Sequence, residues 1–130
     1  MAQGRATFHL GVGLSERADA DGLIAGVEQM LEAAGITAAG LKLATIETRK
    51  GHPALEALAD HFGTSPAYFS PQALDAQTSR LLNPSEELFL RIGCHGVAEA
   101  AALASAGRHG VLVVGKTKCG GATIALAKSE

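Results

Sequence analysis

The stretch Gly110–Ala127, GVLVVGKTKCGGATIALA, decides how the sheet of this protein is completed. Val111–Val114 and Ala122–Ala127 are short apolar runs of the kind that form buried strands. The segment between them, Lys116–Gly121, is too short to hold a crossover helix. The two strands are therefore predicted to pair antiparallel, as a hairpin at the C-terminal end of the sheet.

The same stretch contains a literal match to a phosphate-binding loop, from Gly110 to Thr117. That motif requires a loop between its glycines and a helix after its Lys-Thr pair. Here Val111–Val114 favours a strand between the glycines, and a second strand follows. We therefore reject the nucleotide loop, and a generic nucleotide-binding α/β domain stays only as a third hypothesis.

Upstream of the hairpin, strand-like and helix-like patterns alternate, which implies parallel strands joined by right-handed crossovers. The predicted fold class is a three-layer α/β/α domain, residues 1–130, with a mixed, mostly parallel sheet and a C-terminal antiparallel hairpin. The upstream strands are predicted at Thr7–Val12, Leu41–Ile46 and Ala67–Phe69. The predicted helices run from Asp19 to Gly35, Pro53 to Phe62, Ser70 to Leu74, Asn83 to Gly93 and Gly96 to Gly107, with residues 76–82 as a loop.

Composition excludes several classes of protein. Of the 130 residues, 47% are apolar and 18% are charged, which indicates a globular chain, and 4% are aromatic, so a pocket would have aliphatic walls. The net charge of −2 without a basic tract argues against nucleic acid. No apolar run is long enough for a membrane, and Met1–Arg5 lacks the core of a secretory signal. Cys94 and Cys119 form no CxxC, so we expect a cytoplasmic protein.

Two strand ends carry candidate ligand contacts. Gly11-Val12-Gly13 is predicted as a tight turn after the first strand, where ligands of α/β sheets bind, although it could equally be only a turn. Thr45–Lys50 leaves the second strand as a loop. Arg49 and Lys50 could hold carboxylates there, and a solvated loop is the alternative.

Two later segments carry further candidates. His95, between two helices, could act as an acid, a base or a ligand, or could be an exposed loop histidine. Lys116 and Lys118 alternate with small residues, so both should point to the same side beside Gly120–Gly121. An acidic ligand suits that pair, and a polar hairpin tip is the alternative. No metal spacing is present among the histidines, so no metal or cofactor is expected.

Five ordered motifs together resemble the family of CobE and the C-terminal domain of CbiG, over about Phe8–Lys128. The sequence departs from the family after the Gly-x-Gly, where Leu14-Ser15-Glu16 replaces the usual Cys and basic residues, which weakens the first turn as an anion contact. The motifs are Gly11-x-Gly13, Ala44–Glu47, Asn83–Glu86, Gly96–Leu103 and the pattern K-x-K-x-G-G-x-T-x-A from Lys116 to Ala125.

The resemblance implies a role in making the corrin ring of cobalamin and an α/β/α fold. Fused relatives carry further N-terminal domains and are similar to enzymes that open a lactone on a cobalt-precorrin and release acetaldehyde. This chain is expected to be similar to the stand-alone form of the oxygen-dependent pathway.

We therefore expect a binder or carrier of a polycarboxylate precorrin or corrin intermediate. The alternative is a hydrolase acting on a precorrin lactone, with Glu47, His95 or Glu99 as acid or base. Other pathway enzymes or a second copy of the chain are possible partners. The candidate ligand-binding residues are Gly11, Gly13, Thr45, Arg49, Lys50, Ser85, Gly96, Val97, Lys116, Lys118, Gly120, Gly121 and Thr123.

Overall fold

The computed structural model describes residues 6–130, so the predicted absence of a signal in Met1–Arg5 lies outside the described residues. Within them the chain forms a mixed sheet flanked by helices. The strands are β1 Thr7–Leu14, β2 Lys42–Ile46, β3 Pro66–Phe69, β4 Val111–Cys119 and β5 Ala122–Ser129. The helices are α1 Ala20–Ala34, α2 Pro53–Phe62, α3 Pro71–Asp75, α4 Glu86–Ile92 and α5 Ala98–Ala106, with 3-10 turns at Glu47–Arg49 and Thr78–Arg80.

The sheet has the strand order β3-β2-β1-β5-β4. Strands β1, β2 and β3 pair in parallel, whereas β5 pairs antiparallel with both β1 and β4. All strands except β5 therefore run in one direction, and their carboxyl ends share one edge of the sheet. The predicted mixed sheet with a C-terminal hairpin is confirmed.

Alternating side chains on the central strand build two separate cores. Leu10, Val12 and Leu14 of β1 are buried against α1 and α2, which contribute residues such as Val27 and Leu58. The opposite face of the sheet packs against α5, where six of nine residues are buried. Because successive strand residues face opposite sides, helices cover both faces and the predicted three layers are present.

The predicted Gly-x-Gly turn is wrong, because β1 continues through Leu14 and both glycines lie inside the strand. Gly11 faces α5 at very close range. A Cβ at Gly11 would lie 1.9 Å from the carbonyl oxygen of Ala98 and 2.6 Å from the backbone nitrogen of Ala102. Gly11 is therefore covered by the helix, and its missing side chain is what lets α5 approach the strand.

The hairpin is longer than its sequence pattern predicts. β4 extends from Val111 through Cys119, so the predicted connection Lys116–Gly121 shrinks to the two-residue turn Gly120–Gly121, with φ angles of 54° and 77°. These positive angles suit a tight turn of two glycines. The rejection of a nucleotide loop agrees with the strand that occupies this segment.

One local prediction in the region before α5 is also wrong. Asn83 does not cap α4; instead the Ser85 hydroxyl accepts a hydrogen bond from the Leu88 amide at 3.1 Å. The predicted loop 76–82 contains the turn Thr78–Arg80. Asn83 is an equally good capping residue in isolation, but its side chain is engaged elsewhere, by Glu99.

Replacing Gly11 with Ala is expected to lower the free energy of unfolding by more than about 3 kcal/mol, since the new methyl group collides with helix backbone that cannot rotate away. Gly96→Ala is the matched control, because its Cβ would meet only Leu81 Cδ1 at 3.2 Å, the end of a flexible side chain. Urea unfolding of both variants measures the difference. Equal losses in the two variants would contradict the packing role of Gly11.

Candidate functional site

An open cleft of about 650 Å³ lies at the carboxyl edge of the sheet. The ends of β1 and β2, the amino end of α5, helix α4 and the β4–β5 hairpin surround it. The apolar lining comes from Leu14, Ile46, Leu88, Ile92, Val97, Ala98 and Ala122. Its cationic lining comes from Arg49, Arg91, Lys116 and Lys118.

The cleft brings together most of the residues that the sequence nominated, although they come from distant segments. Both members of the predicted lysine pair line it, as does Arg49 from the second strand end. The nominated residues that line the cleft are Gly13, Arg49, His95, Gly96, Val97, Glu99, Lys116, Lys118, Gly120, Gly121 and Thr123.

The remaining nominated residues lie outside the cleft and have other contacts. Thr45 is fully buried and donates its hydroxyl to the carbonyl of Val12 at 2.6 Å, which ties β2 to β1. The Lys50 ammonium lies 5.5 Å from the centre of the Tyr68 ring. Three other nominated residues also lie outside the cleft. Gly11 packs under α5, Ser85 caps α4, and Glu47 is exposed at the start of its 3-10 turn.

Glu99 is a buried carboxylate with a full set of hydrogen-bond donors. It accepts from the amides of Leu82 and Asn83, both at 2.9 Å, from Asn83 Nδ2 at 2.7 Å and from the Lys116 amide at 2.8 Å. Burial alone would raise the pKa of Glu99, but these donors lower it below its ordinary value. Its oxygens are occupied, so the geometry suits a structural anion better than a proton-transfer group.

The Lys116 amide reaches Glu99 because β4 is irregular at that point. The pairing register between β4 and β5 shifts between Val114 and Thr117. Such a bulge releases an amide from the ladder and redirects neighbouring side chains. Glu99 therefore fixes the backbone of Lys116 while the lysine side chain faces the cleft.

His95 lies between two carboxylates. Its Nδ1 is 2.7 Å from Asp75 Oδ1, and its Nε2 is 3.2 Å from Glu86 Oε2. Carboxylates only accept hydrogen bonds, so this arrangement favours the imidazolium form, which carries a hydrogen on each ring nitrogen. The hydrogen bond to Asp75 raises the pKa of His95, and the same bond lowers the pKa of Asp75. The ring also stacks on Phe89, with centroids 4.4 Å apart.

The glycine turn of the hairpin is fixed to the start of α1. The Gly120 carbonyl accepts from the Asp19 amide at 2.7 Å, and the Gly121 carbonyl accepts from the Ser15 hydroxyl at 2.7 Å. A Cβ at Gly120 would lie 2.8 Å from the Leu23 amide nitrogen. The two glycines thus allow the hairpin to dock closely, which holds Lys116 and Lys118 at the cleft.

The electrostatic balance of the cleft favours anions. Four cationic side chains line it, and the amino end of α5 adds the partial positive charge of a helix start without a side-chain cap. Glu99 also lines the cleft, but its charge is offset by its donors. The arrangement can hold an apolar surface against the aliphatic residues and carboxylates against the surrounding cations.

Sequence reasoning missed Arg91, which lines the cleft from α4. The signal for it was present, since Arg91 follows Leu88 by three residues and such a spacing places two side chains on one helix face. Leu88 and Ile92 of the same helix also line the cleft, and neither of them is buried.

Across residues 6–130, no three His, Cys, Asp or Glu side chains gather in a way that could hold a metal ion. In the same range, every helix is too short or too polar to span a bilayer.

A family profile described as "Cobalamin synthesis G C-terminus" matches residues 8–127. The chain belongs to this family. Its relatives include "Protein CobE" from Sinorhizobium sp, which is 45% identical over 119 residues, covering 91% of this chain and 77% of the relative. A crystal structure of CobE, a protein from the cobalamin biosynthetic pathway, superposes with a TM-score of 0.86 at 33% identity, covering 96% of this chain and 92% of that one.

A second similar protein, matched over a shorter stretch, carries an enzyme name. "Cobalt-precorrin-5A hydrolase" from Priestia megaterium is 35% identical over 85 residues, which is 65% of this chain but 22% of the relative. The resemblance stated from the five motifs is confirmed, together with a place in cobalamin biosynthesis. The matched part of the hydrolase is a small share of that protein.

Replacing Glu99 with Gln should lower the free energy of unfolding by about 2–4 kcal/mol, because the new NH₂ group faces amide donors and leaves them unsatisfied. Wild-type stability should also fall as the pH drops below the ordinary Glu value of 4.5, since the folded pKa is lower and the unfolded chain binds the proton first. Glu47→Gln, on the exposed 3-10 turn, is the control. Urea unfolding across this pH range in which Glu99→Gln retains the wild-type slope would contradict this role.

Proposed function

We propose that the protein binds and carries a polycarboxylate corrin or precorrin intermediate of cobalamin biosynthesis. The observation that carries the proposal is the cleft itself, where four cations surround an aliphatic surface. Corrin intermediates are large discs with an apolar face and a fringe of carboxylates. The apolar lining suits the disc, and Arg49, Arg91, Lys116 and Lys118 suit its fringe.

Family membership supports this ligand class independently of the cleft. Both relatives that match over most of their length are CobE proteins, one of them described as a protein from the cobalamin biosynthetic pathway, and neither name states a reaction. A volume of about 650 Å³ is within the range of small-molecule sites, and the open side would leave part of a large disc outside the protein. An open site suits transfer of the ligand to and from other pathway enzymes.

A carrier fits the side-chain chemistry better than a hydrolase does. Of the three nominated acid–base residues, Glu99 is saturated with donors and Glu47 does not line the cleft. His95 alone faces the cleft with a titrating ring, and both of its nitrogens are beside carboxylates. The hydrolase hypothesis therefore depends on His95 and on a relative of which 22% is matched.

We also infer a cytoplasmic location and contact with other enzymes of the pathway. The two cysteines are free, with Cys94 buried, which suits a reducing compartment. Partner enzymes follow from the carrier role, because a carrier must receive its ligand and deliver it.

Titration with hydrogenobyrinic acid should change the visible spectrum of this corrinoid on binding. Lys118→Gln and Arg91→Gln should each weaken the apparent affinity by about five- to tenfold, because each removes a cation that pairs with a carboxylate. Lys42→Gln is the control, since Lys42 is exposed at the amino end of β2, the opposite edge of the sheet. Binding should also weaken as salt is added.

The absence of a spectral change at high micromolar protein would overturn the proposed function. Equal losses in Lys42→Gln and Lys118→Gln would remove the cleft as the site. Mass spectrometry of a precorrin incubated with the protein separates carriage from catalysis. A mass change that His95→Gln abolishes would support the hydrolase instead.

A further inference from the structure

Helix α4, Glu86–Ile92, is unusual in this fold because it is apolar yet unburied. Leu88, Phe89, Leu90 and Ile92 make up four of its seven residues, and none of the seven is buried. Leu90 is 83% exposed, and Phe89 and Ile92 are each 37% exposed. A helix with so much accessible apolar surface gains free energy if it covers something apolar.

Helix α4 begins and ends sharply, so it is one short element. Pro84 precedes its Ser85 cap, and Gly93 ends it with a φ of 86°, a conformation that favours glycine. Within residues 6–130, the ion pair that ties α4 to the segment leading into α5 is the one between Glu86 and His95. The Ser85 amide also donates to the His95 carbonyl at 2.8 Å, just before the helix begins.

The cleft is what α4 can cover. Leu88, Arg91 and Ile92 already line it from this helix. A disc in the cleft would lie against the two aliphatic side chains, and Arg91 would reach a carboxylate on its fringe. Covering the ligand would bury the cleft-facing surface of Leu88 and Ile92, whereas Leu90 does not line the cleft.

The His95 ring contacts α4 twice, through the Glu86 carboxylate and through Phe89, which stacks on the ring. Asp75 at the end of α3 and Glu86 on α4 are the charged groups that face the ring, and the Thr78 hydroxyl lies 3.4 Å from Nδ1. Glu86 is the weaker partner, since its side chain is 87% exposed and its contact is longer than that of Asp75. A neutral ring keeps one hydrogen, which the shorter Asp75 contact retains, so the Nε2 lone pair would then face the Glu86 carboxylate.

We propose that α4 is a lid over the cleft and that the His95 imidazolium is the latch that holds it in place. The latch is complete below the ordinary His pKa of 6.5 and is lost as the pH rises through the raised folded value. The lid movement concerns the free protein, whereas its effect on ligand exchange rests on the proposed function.

Hydrogen–deuterium exchange of the free protein tests the lid without any ligand. Glu86→Gln should lower the protection of the α4 amides by about two- to fivefold, the range expected for a partly exposed ion pair, while α5 stays unchanged. Glu87→Gln is the matched control, since Glu87 is the adjacent exposed carboxylate of the first turn and has no contact with His95. Wild-type protection of α4 in Glu86→Gln would overturn the latch.

Proton titration of the His95 ring by NMR tests the same ion pair, between Glu86 and His95, through its histidine. Glu86→Gln should lower the measured pKa of His95, and Glu87→Gln should shift it much less, because Glu86 is within hydrogen-bonding distance of the ring and Glu87 is not. In the wild type, α4 protection corrected for intrinsic exchange should fall as the pH rises from the ordinary His value of 6.5 into the alkaline range, because the folded pKa of His95 is raised. An α4 that keeps its protection over that range would contradict proton control.

Stopped-flow release of hydrogenobyrinic acid extends the test to the ligand. Glu86→Gln should accelerate release by about two- to fivefold relative to Glu87→Gln, since the lid opens more often. If the corrinoid does not bind, the proposed function fails while the exchange experiment still judges the lid. If it binds but both variants release it at the same rate, the lid does not gate the cleft.

Discussion

The close approach of α5 to β1 is the contact on which the rest of the structure depends. Gly11 leaves no room for a side chain between the strand and the backbone of Ala98 and Ala102. With the helix held at this distance, its amino end lies beside Gly13, at the edge where the parallel strands end. One missing Cβ therefore determines both the packing of one layer and the position of one wall of the cleft.

Glu99 adds an electrostatic constraint to the close packing of α5. It stands in the first turn of α5 and collects donors from the segment before α4 and from the bulge in β4. A buried carboxylate is tolerated only when its charge is fully compensated, so the donors must stay where they are. The same compensation keeps the negative charge of Glu99 from cancelling the cations of the cleft. The excess of positive charge in the cleft is thus preserved because the charge of Glu99 is compensated within the fold.

The sequence was most informative where a feature is local or depends on chain length. The short connection before Ala122 required an antiparallel pair, and the lysine alternation placed Lys116 and Lys118 on one side of a strand. The sequence led to wrong predictions where one residue type can serve two structural purposes. Gly-x-Gly is typical of a turn, but here Gly11 lets a helix pack closely against a strand. Asn83 is typical of a helix cap, but here its side chain donates a hydrogen bond to a buried carboxylate. Glycine and asparagine have the same local signature in both roles, so only the neighbours distinguish them.

The sequence by itself determined the α/β layering, the family and the terminal hairpin, because hydrophobic periodicity, loop length and ordered motifs act along the chain. Tertiary structure alone decided which charged residues line the cleft and which contact other parts of the fold. Lys118 and Arg91 both line the cleft although they come from distant segments, whereas Lys50 lies over Tyr68. The physical reason is that a side chain's role depends on the partners within a few ångströms of it, and these come from residues far away in the chain.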